Sequence, residues 1–239
     1  MKGKAMYDFL QRTEALLGKE KLRILSQSHV LVLGLGGVGC HAVEALSRSG
    51  IGTISLVDPE CYEKTNCNRQ LFATTRTLGL QKVFVAEKRI LEINPQCKVF
   101  PHAIFFDRET PDSLFDNVDY ILDAIDSVPS KVEVVCRAKK LGIPIISCMG
   151  TGNKLDPTEF RVADLFCTKV CPLARVMRTE LKKRGIDRLK TVYSEELPKK
   201  SLVDPDTKKH IPTSISFVPG VAGMILAGEI IKDLTEICL

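Results

Sequence analysis

Apolar residues recur every three to four positions through residues 7–28 (YDFLQRTEALLGKEKLRILSQS), which predicts an amphipathic helix or helix pair broken near Gly18. The pattern then changes. HVLVLGL (29–35) is a continuous apolar run expected of a strand covered on both faces, and VGCHAVEALSRSG (38–50) returns to the helical period and stops at Gly50. GTISLVD (52–58) is a second apolar run closing on an aspartate, so the first third of the chain reads as a βαβ unit.

A polar loop (PECYEKTNCNRQ, 59–70) follows, then a helix expected over residues 78–94 and stopped by Pro95, and a strand in CKVFPHAIF (97–105). DYILDAID (119–126) reads as a strand ending in two carboxylates. PSKVEVVCRAKKLG (129–142) is a helix with Gly142 at its end, and IPIISCMG (143–150) is the next strand. Five strands alternating with helices predict an α/β fold, a Rossmann-like doubly wound and mainly parallel sheet, over residues 10–152.

Past residue 152 the rhythm changes. DPTEFRVADL (156–165) is extended, PLARVMRTELKKRG (172–185) is an amphipathic helix, and FVPGVAGMILAGEII (217–231) is a helix of small residues fit for burial. PKKSLVDPDTKKH (198–210), with two prolines, predicts an exposed loop. This region reads as a C-terminal α+β portion (153–239) added to the nucleotide-binding core within one domain spanning 1–239.

Composition refines the picture. With 239 residues, 44% of them hydrophobic, the chain can bury a substantial core, and a net charge of +5 is compatible with an anionic partner without demanding one. Nine cysteines, an odd number, and an opening stretch (MKGKAMYDFLQRTEALL) without the apolar core of a secretory signal point to the reducing cytoplasm. The apolar run at 217–231 is interrupted by Pro219 and Glu229 and is shorter than the roughly 20 residues of a membrane span, so no membrane association is expected.

The candidate chemistry begins at LVLGLGGVGC. Gly34, Gly36 and Gly39, with Gly37 and Val38 between them, turn a strand into a helix. That spacing either brings backbone amides against a phosphate or packs the two elements closely. Asp58, at the end of the second strand, can accept hydrogen bonds from ribose hydroxyls, as it would in an NAD-dependent dehydrogenase. The next loop carries Asn66, Asn68, Arg69 and Gln70, and Lys82 follows on a helix. Two cations and several amides suit a triphosphate better than a nicotinamide. In LDAIDS, Asp126 falls just beyond the strand, where it can bind Mg²⁺ or cap the following helix. For Asp123 the choice is between a place in the nucleotide site and the same capping role.

Taken in order, GLGGVG, a strand-end Asp, NCNRQ, a helix-borne Lys and DAIDS resemble the adenylating domain of ubiquitin-activating enzymes and their bacterial ThiF, MoeB and HesA relatives. The resemblance implies ATP-dependent activation of a carboxylate, with Asp58 on the ribose, Arg69 and Lys82 on the phosphates and Asp126 on Mg²⁺. A monovalent cation held by backbone carbonyls would leave no side-chain signature, so it stays open as a further cofactor. Members of this superfamily are commonly homodimers.

GTGNKLDPTEFRVADLFCTKVCPLARVMRTELKKRGI, DAIDSVPSK and the late FVPGVAG resemble, in addition, the tRNA threonylcarbamoyladenosine dehydratases within that superfamily. That resemblance implies cyclisation of the modified adenosine with loss of water, on a tRNA substrate. The run 181–190 (LKKRGIDRLK) with Lys199, Lys200, Lys208 and Lys209 would then contact phosphates. Some relatives with a sulfur-relay partner carry a cysteine where this chain has Thr191. The paired CxxC motifs that hold zinc in sulfur-carrier adenylyltransferases are absent, the nearest feature being Cys167 and Cys171, with Cys238 standing alone. The alternatives are an adenylyltransferase for a ubiquitin-like sulfur carrier, an NAD-binding oxidoreductase and a non-catalytic nucleotide-binding scaffold.

Overall fold

A computed structural model describes residues 8–203 and 210–237, which leaves Lys208, Lys209 and Cys238 outside the described residues. Helices α1 (Gln11–Leu17) and α2 (Lys19–Gln27) meet at Gly18, whose φ of 86° is readily adopted only by glycine. They lead into β1 (His29–Leu33), followed by α3 (Gly39–Arg48) and β2 (Thr53–Val57). Then come α4 (Lys82–Ile93), β3 (Lys98–His102), β4 (Tyr120–Asp123), α5 (Val128–Leu141) and β5 (Ile145–Cys148). All five strands expected from the pattern are present, and α5 has proline in its first turn and left-handed Gly142 at its end.

The remaining elements are β6 (Phe160–Asp164), α6 (Pro172–Lys182), β7 (Lys190–Ser194), the short pair β8 (Leu202–Val203) and β9 (His210–Ile211), and α7 (Phe217–Leu234). One seven-stranded sheet runs β3-β2-β1-β4-β5-β7-β6, parallel except for β6, which pairs antiparallel with β7 at the edge. The second half is therefore woven into the sheet rather than set upon it. Strand β7, unread in the sequence, bonds directly to β5.

Apolar side chains of the central strands are fully buried between two helical layers, with α3 and α7 on one face and α5 and α6 on the other. Burial of each such Val, Leu or Ile contributes about 1.5–3 kcal/mol. Gly223 of α7 lies so close to α3 that a Cβ there would sit 2.4 Å from the carbonyl oxygen of Val38. Small residues in FVPGVAG thus let two helices touch backbone to backbone.

One boundary differs from the periodicity. Helix α4 starts at Lys82, because residues 78–81 are tied back onto the preceding loop: Tyr62 donates to the Leu80 carbonyl at 2.9 Å, and Gly79 donates to Tyr62 at 2.9 Å. The basic run at 181–190 is also less open than its composition suggests. Leu181 and Leu189 are core residues, Lys183 and Arg184 pair with Glu180, and Lys190 lies 2.8 Å from both Glu229 and Asp233 of α7. Lys199 and Lys200 are exposed. No helix among the described residues is long and apolar enough to cross a membrane.

Candidate active site

Strand order reverses at β1, with β2 and β3 to one side and β4 and β5 to the other. The loops leaving β1 and β4 consequently open onto a shared crevice at the carboxyl ends of the strands, the usual ligand position in such sheets. A cavity of about 1020 Å³ occupies it, lined by Gly34, Gly36, Gly37, Val38, Asp58, Asn66, Arg69, Gln70, Lys82 and Asp126.

Glycine is required by contact as well as by conformation. Gly34 has φ 91°, and a Cβ on it would meet the Ala124 carbonyl oxygen at 2.6 Å, where the β1 and β4 loops touch. Gly39 does not line the cavity. Its missing side chain lets α3 begin against the loop, since a Cβ there would lie 1.8 Å from the Gly34 carbonyl oxygen. Val38, the residue capping α3, offers no side-chain acceptor, so the start of the helix faces the cavity without a competing anion.

Asp58 is held in place by two backbone donors: Leu35 N–H to Oδ2 at 2.7 Å and Glu60 N–H to Oδ1 at 2.9 Å. Each oxygen keeps a second lone pair. Burial pushes this carboxyl above its ordinary value, and the Lys82 charge opposes that. Lys82 is itself almost fully enclosed, with its ammonium 2.5 Å from Glu60 Oε2 and 5.9 Å from the centre of the Tyr62 ring.

Arg69 is braced by its neighbours, donating at 2.9 Å to the Thr65 carbonyl and at 2.9 Å to Asn68 Oδ1. Asn68 does not reach the cavity. Its amide crosses to the Ser214 carbonyl at 3.1 Å, so it fixes the arginine from behind. Asn66 accepts from the Glu63 amide at 3.0 Å and shapes the turn. Gln70 is buried with its carbonyl oxygen unpartnered at the cavity wall.

The two aspartates after β4 separate cleanly. Asp123 is wholly buried and does not line the cavity. Lys131 lies 2.9 Å from Oδ2, Ser147 also donates to Oδ2, and the Ile125 amide donates to Oδ1 at 3.1 Å. Direct contact with a nucleotide, expected from the sequence, is thus precluded by an internal ion pair. Asp126 has the opposite environment, exposed to the cavity and without a side-chain partner among the described residues. Neither it nor Ser127, which occupies the N-cap of α5, makes a side-chain capping bond. The capping alternative therefore does not explain Asp126.

Sequence reading missed the far wall of the cavity. Gly150, Thr151, Gly152, Asn153 and Lys154 leave β5, and Cys171, Pro172 and Leu173 open α6. Lys154 is buried, donates to the Glu196 carbonyl, and is pushed below its ordinary value by that burial. A lysine inside a strand-to-loop glycine cluster was the available signal. Burial pushes Cys40 up to about 11 and Cys148 up to about 12, leaving both as neutral thiols. Cys167 is exposed while Cys171 is buried, and Thr191 is enclosed in β7, donating to the Ala163 carbonyl at 3.0 Å.

The sequence pattern of the ThiF family matches residues 10–238. A tRNA threonylcarbamoyladenosine dehydratase of Bacillus subtilis (strain 168) is 42% identical over 240 residues, covering 94% of each chain. Crystal structures of the Escherichia coli tRNA N6-threonylcarbamoyladenosine dehydratase TcdA superpose with TM-scores of 0.87 for its AMP complex and 0.84 for its ATP complex. Sequence identities are 30% and 31%, and 98% of each chain is covered in both cases.

Proposed function

The chain belongs to the ThiF family, and on that premise we propose that it uses ATP to activate the threonyl carboxylate of N6-threonylcarbamoyladenosine in tRNA, which then cyclises with loss of water. The observation that carries this reading is the convergence of a glycine loop, Asp58, Arg69, Lys82 and Asp126 on one cavity with a second wall for a substrate.

A free carboxylate is a poor electrophile. Attack of its oxygen on a phosphorus of ATP forms a mixed anhydride and expels the rest of the nucleotide or pyrophosphate. The substrate's own carbamoyl group then attacks the acyl carbon, closing the ring, losing a proton and releasing the phosphoryl group. The water removed from the substrate is accounted for by cleavage of ATP. The protein's tasks are positioning and charge stabilisation, and no protein nucleophile is required.

Asp58 would accept the ribose hydroxyls through its spare lone pairs, and the start of α3 would receive phosphate oxygens. Arg69 would use its unengaged N–H groups on the phosphates, and Lys82 its compact charge. Asp126 fits Mg²⁺ as a single carboxylate sharing the ion with phosphate oxygens and water, and the ion would neutralise charge developing at the reacting phosphorus.

The test is incubation with ATP, Mg²⁺ and tRNA bearing the modified nucleoside, followed by mass spectrometry of nucleosides under mild conditions. ATP-dependent loss of one water is expected, and AMP or ADP among the products reports which phosphorus is attacked. Unchanged tRNA, together with adenylylation of a ubiquitin-like sulfur carrier in a parallel reaction, overturns the reading.

A further inference from the structure

Lys154 presents an unusual balance of charge. It is 4% exposed, yet its ammonium has no ion-pair partner among the described residues and rests on the backbone carbonyl of Glu196. The Glu196 carboxylate acts on the lysine only as a charge beyond ion-pair distance, and it accepts from the Leu155 amide at 2.9 and 3.0 Å and from the Asp156 amide at 2.9 Å. One residue thus supplies a neutral acceptor to the lysine while its negative charge is spent on backbone donors. An unpaired buried cation is costly to keep, so a cavity wall that holds one is poised for an anion.

Its place in the sheet says which anion. The glycine loop follows β1, Asp126 follows β4, and Lys154 lies in the loop that follows β5, the next strand along. Neighbouring strands are about 4.8 Å apart, which places this loop on the order of 10 Å from the glycine loop, with Asp126 between them. That is beyond the phosphate cradle and on the side away from Asp58.

We propose that the Lys154 ammonium binds the carboxylate that ATP activates, forming the acid-recognition subsite of the cavity opposite the nucleotide. The inference rests on the carboxylate-activation reading above. Two N–H groups of Lys154 remain after its bond to Glu196, enough to grip one carboxylate and aim its free oxygen toward the nucleotide. The subsite selects for a free acid, because an ester or amide would leave the buried charge unanswered.

The experiment compares the wild-type chain with Lys154→Met and Lys154→Arg. It measures ATP affinity, kcat/KM on modified tRNA at saturating ATP and Mg²⁺, thermal midpoint, and inhibition by free N6-threonylcarbamoyladenosine against its methyl ester. Lys154→Met is expected to lower kcat/KM by about thirtyfold or more, the effect of removing one partner of a buried charge pair. ATP affinity and thermal midpoint should stay near wild type, and the preference for acid over ester should vanish in Met and persist in Arg. Wild-type kcat/KM in Lys154→Met overturns the inference. So does a loss that follows ATP affinity, which would assign the lysine to phosphate, or a lowered midpoint with acid preference intact, which would make its role structural. A wild-type chain that leaves the tRNA unchanged overturns the functional reading instead.

Discussion

Lys131 and Asp123, neither with any exposed surface, face each other at 2.9 Å directly beneath the loop that carries Asp126. The pair joins α5 to the end of β4, and Ser147 ties the same carboxylate to β5. Removing one partner strands a charge in the core, at a cost of about 3–5 kcal/mol. Asp123→Asn or Lys131→Met is therefore expected to lower the thermal midpoint by on the order of ten degrees. Denaturant melts of both singles and of Asp123→Leu with Lys131→Met check this, since the double variant should recover part of the loss. Singles within about 1 kcal/mol of wild type would contradict it.

Asp126→Asn should behave in the reverse way. With no partner among the described residues to lose, the variant is expected to melt within about 0.5 kcal/mol of wild type while turnover falls at least about a hundredfold. Titration of Mg²⁺ against dehydration rate is the readout, and a curve unchanged from wild type would remove the metal role from this residue.

If Lys82 binds a phosphate as proposed, it would exchange one anionic partner, Glu60, for another. The lysine side chain is 2% exposed and would not be left bare in that exchange, while the Glu60 side chain, 68% exposed, would return to water. Glu60→Gln is expected to tighten ATP binding by up to about fivefold by freeing the lysine and removing a negative charge near the triphosphate. Lys82→Ala should weaken binding by at least about tenfold. Calorimetric titration of both variants gives the sign, and weaker ATP binding in Glu60→Gln would mean that the carboxylate positions the lysine.

Glu44 supplies a pH signature away from the cavity. Burial works against its charged form, but Arg89 and Arg48 outweigh that and hold the carboxyl below its ordinary value. A depressed carboxylate adds stability that is present above its unfolded value of 4.5 and is lost as pH falls through the lower folded value. Glu44→Gln should thus cost about 1 kcal/mol near neutrality, given the exposure of both arginines, and nothing in strong acid. Melts from pH 7 down to pH 2 test the convergence of the two curves.

The alternation of apolar runs was enough to reveal the five strands and the position of the cavity, because a strand buried on both faces needs uninterrupted Val, Ile and Leu. Strand β7 escaped notice because KTVYS is short and follows charged residues, and because the partners of Lys190 lie about forty positions away on α7. In the site, glycine spacing and strand ends pointed to Asp58 and the glycine loop, which line one cavity. Spacing could not separate Asp123 from Asp126, since which carboxylate turns inward is decided by Lys131 on another element. Lys154 needed the fold, because its burial arises from residues around Glu196.

The close seating of α7 on α3 has a temporal meaning. Val38, at the edge of the nucleotide cavity, and Gly37, packed against Pro219, are both backed by residues more than 180 positions later in the chain. During synthesis the glycine loop emerges early but lacks its support until α7 has cleared the ribosome. A nascent chain therefore completes this cavity only after α7 has followed the glycine loop, and nucleotide capture would report that translation has passed α7.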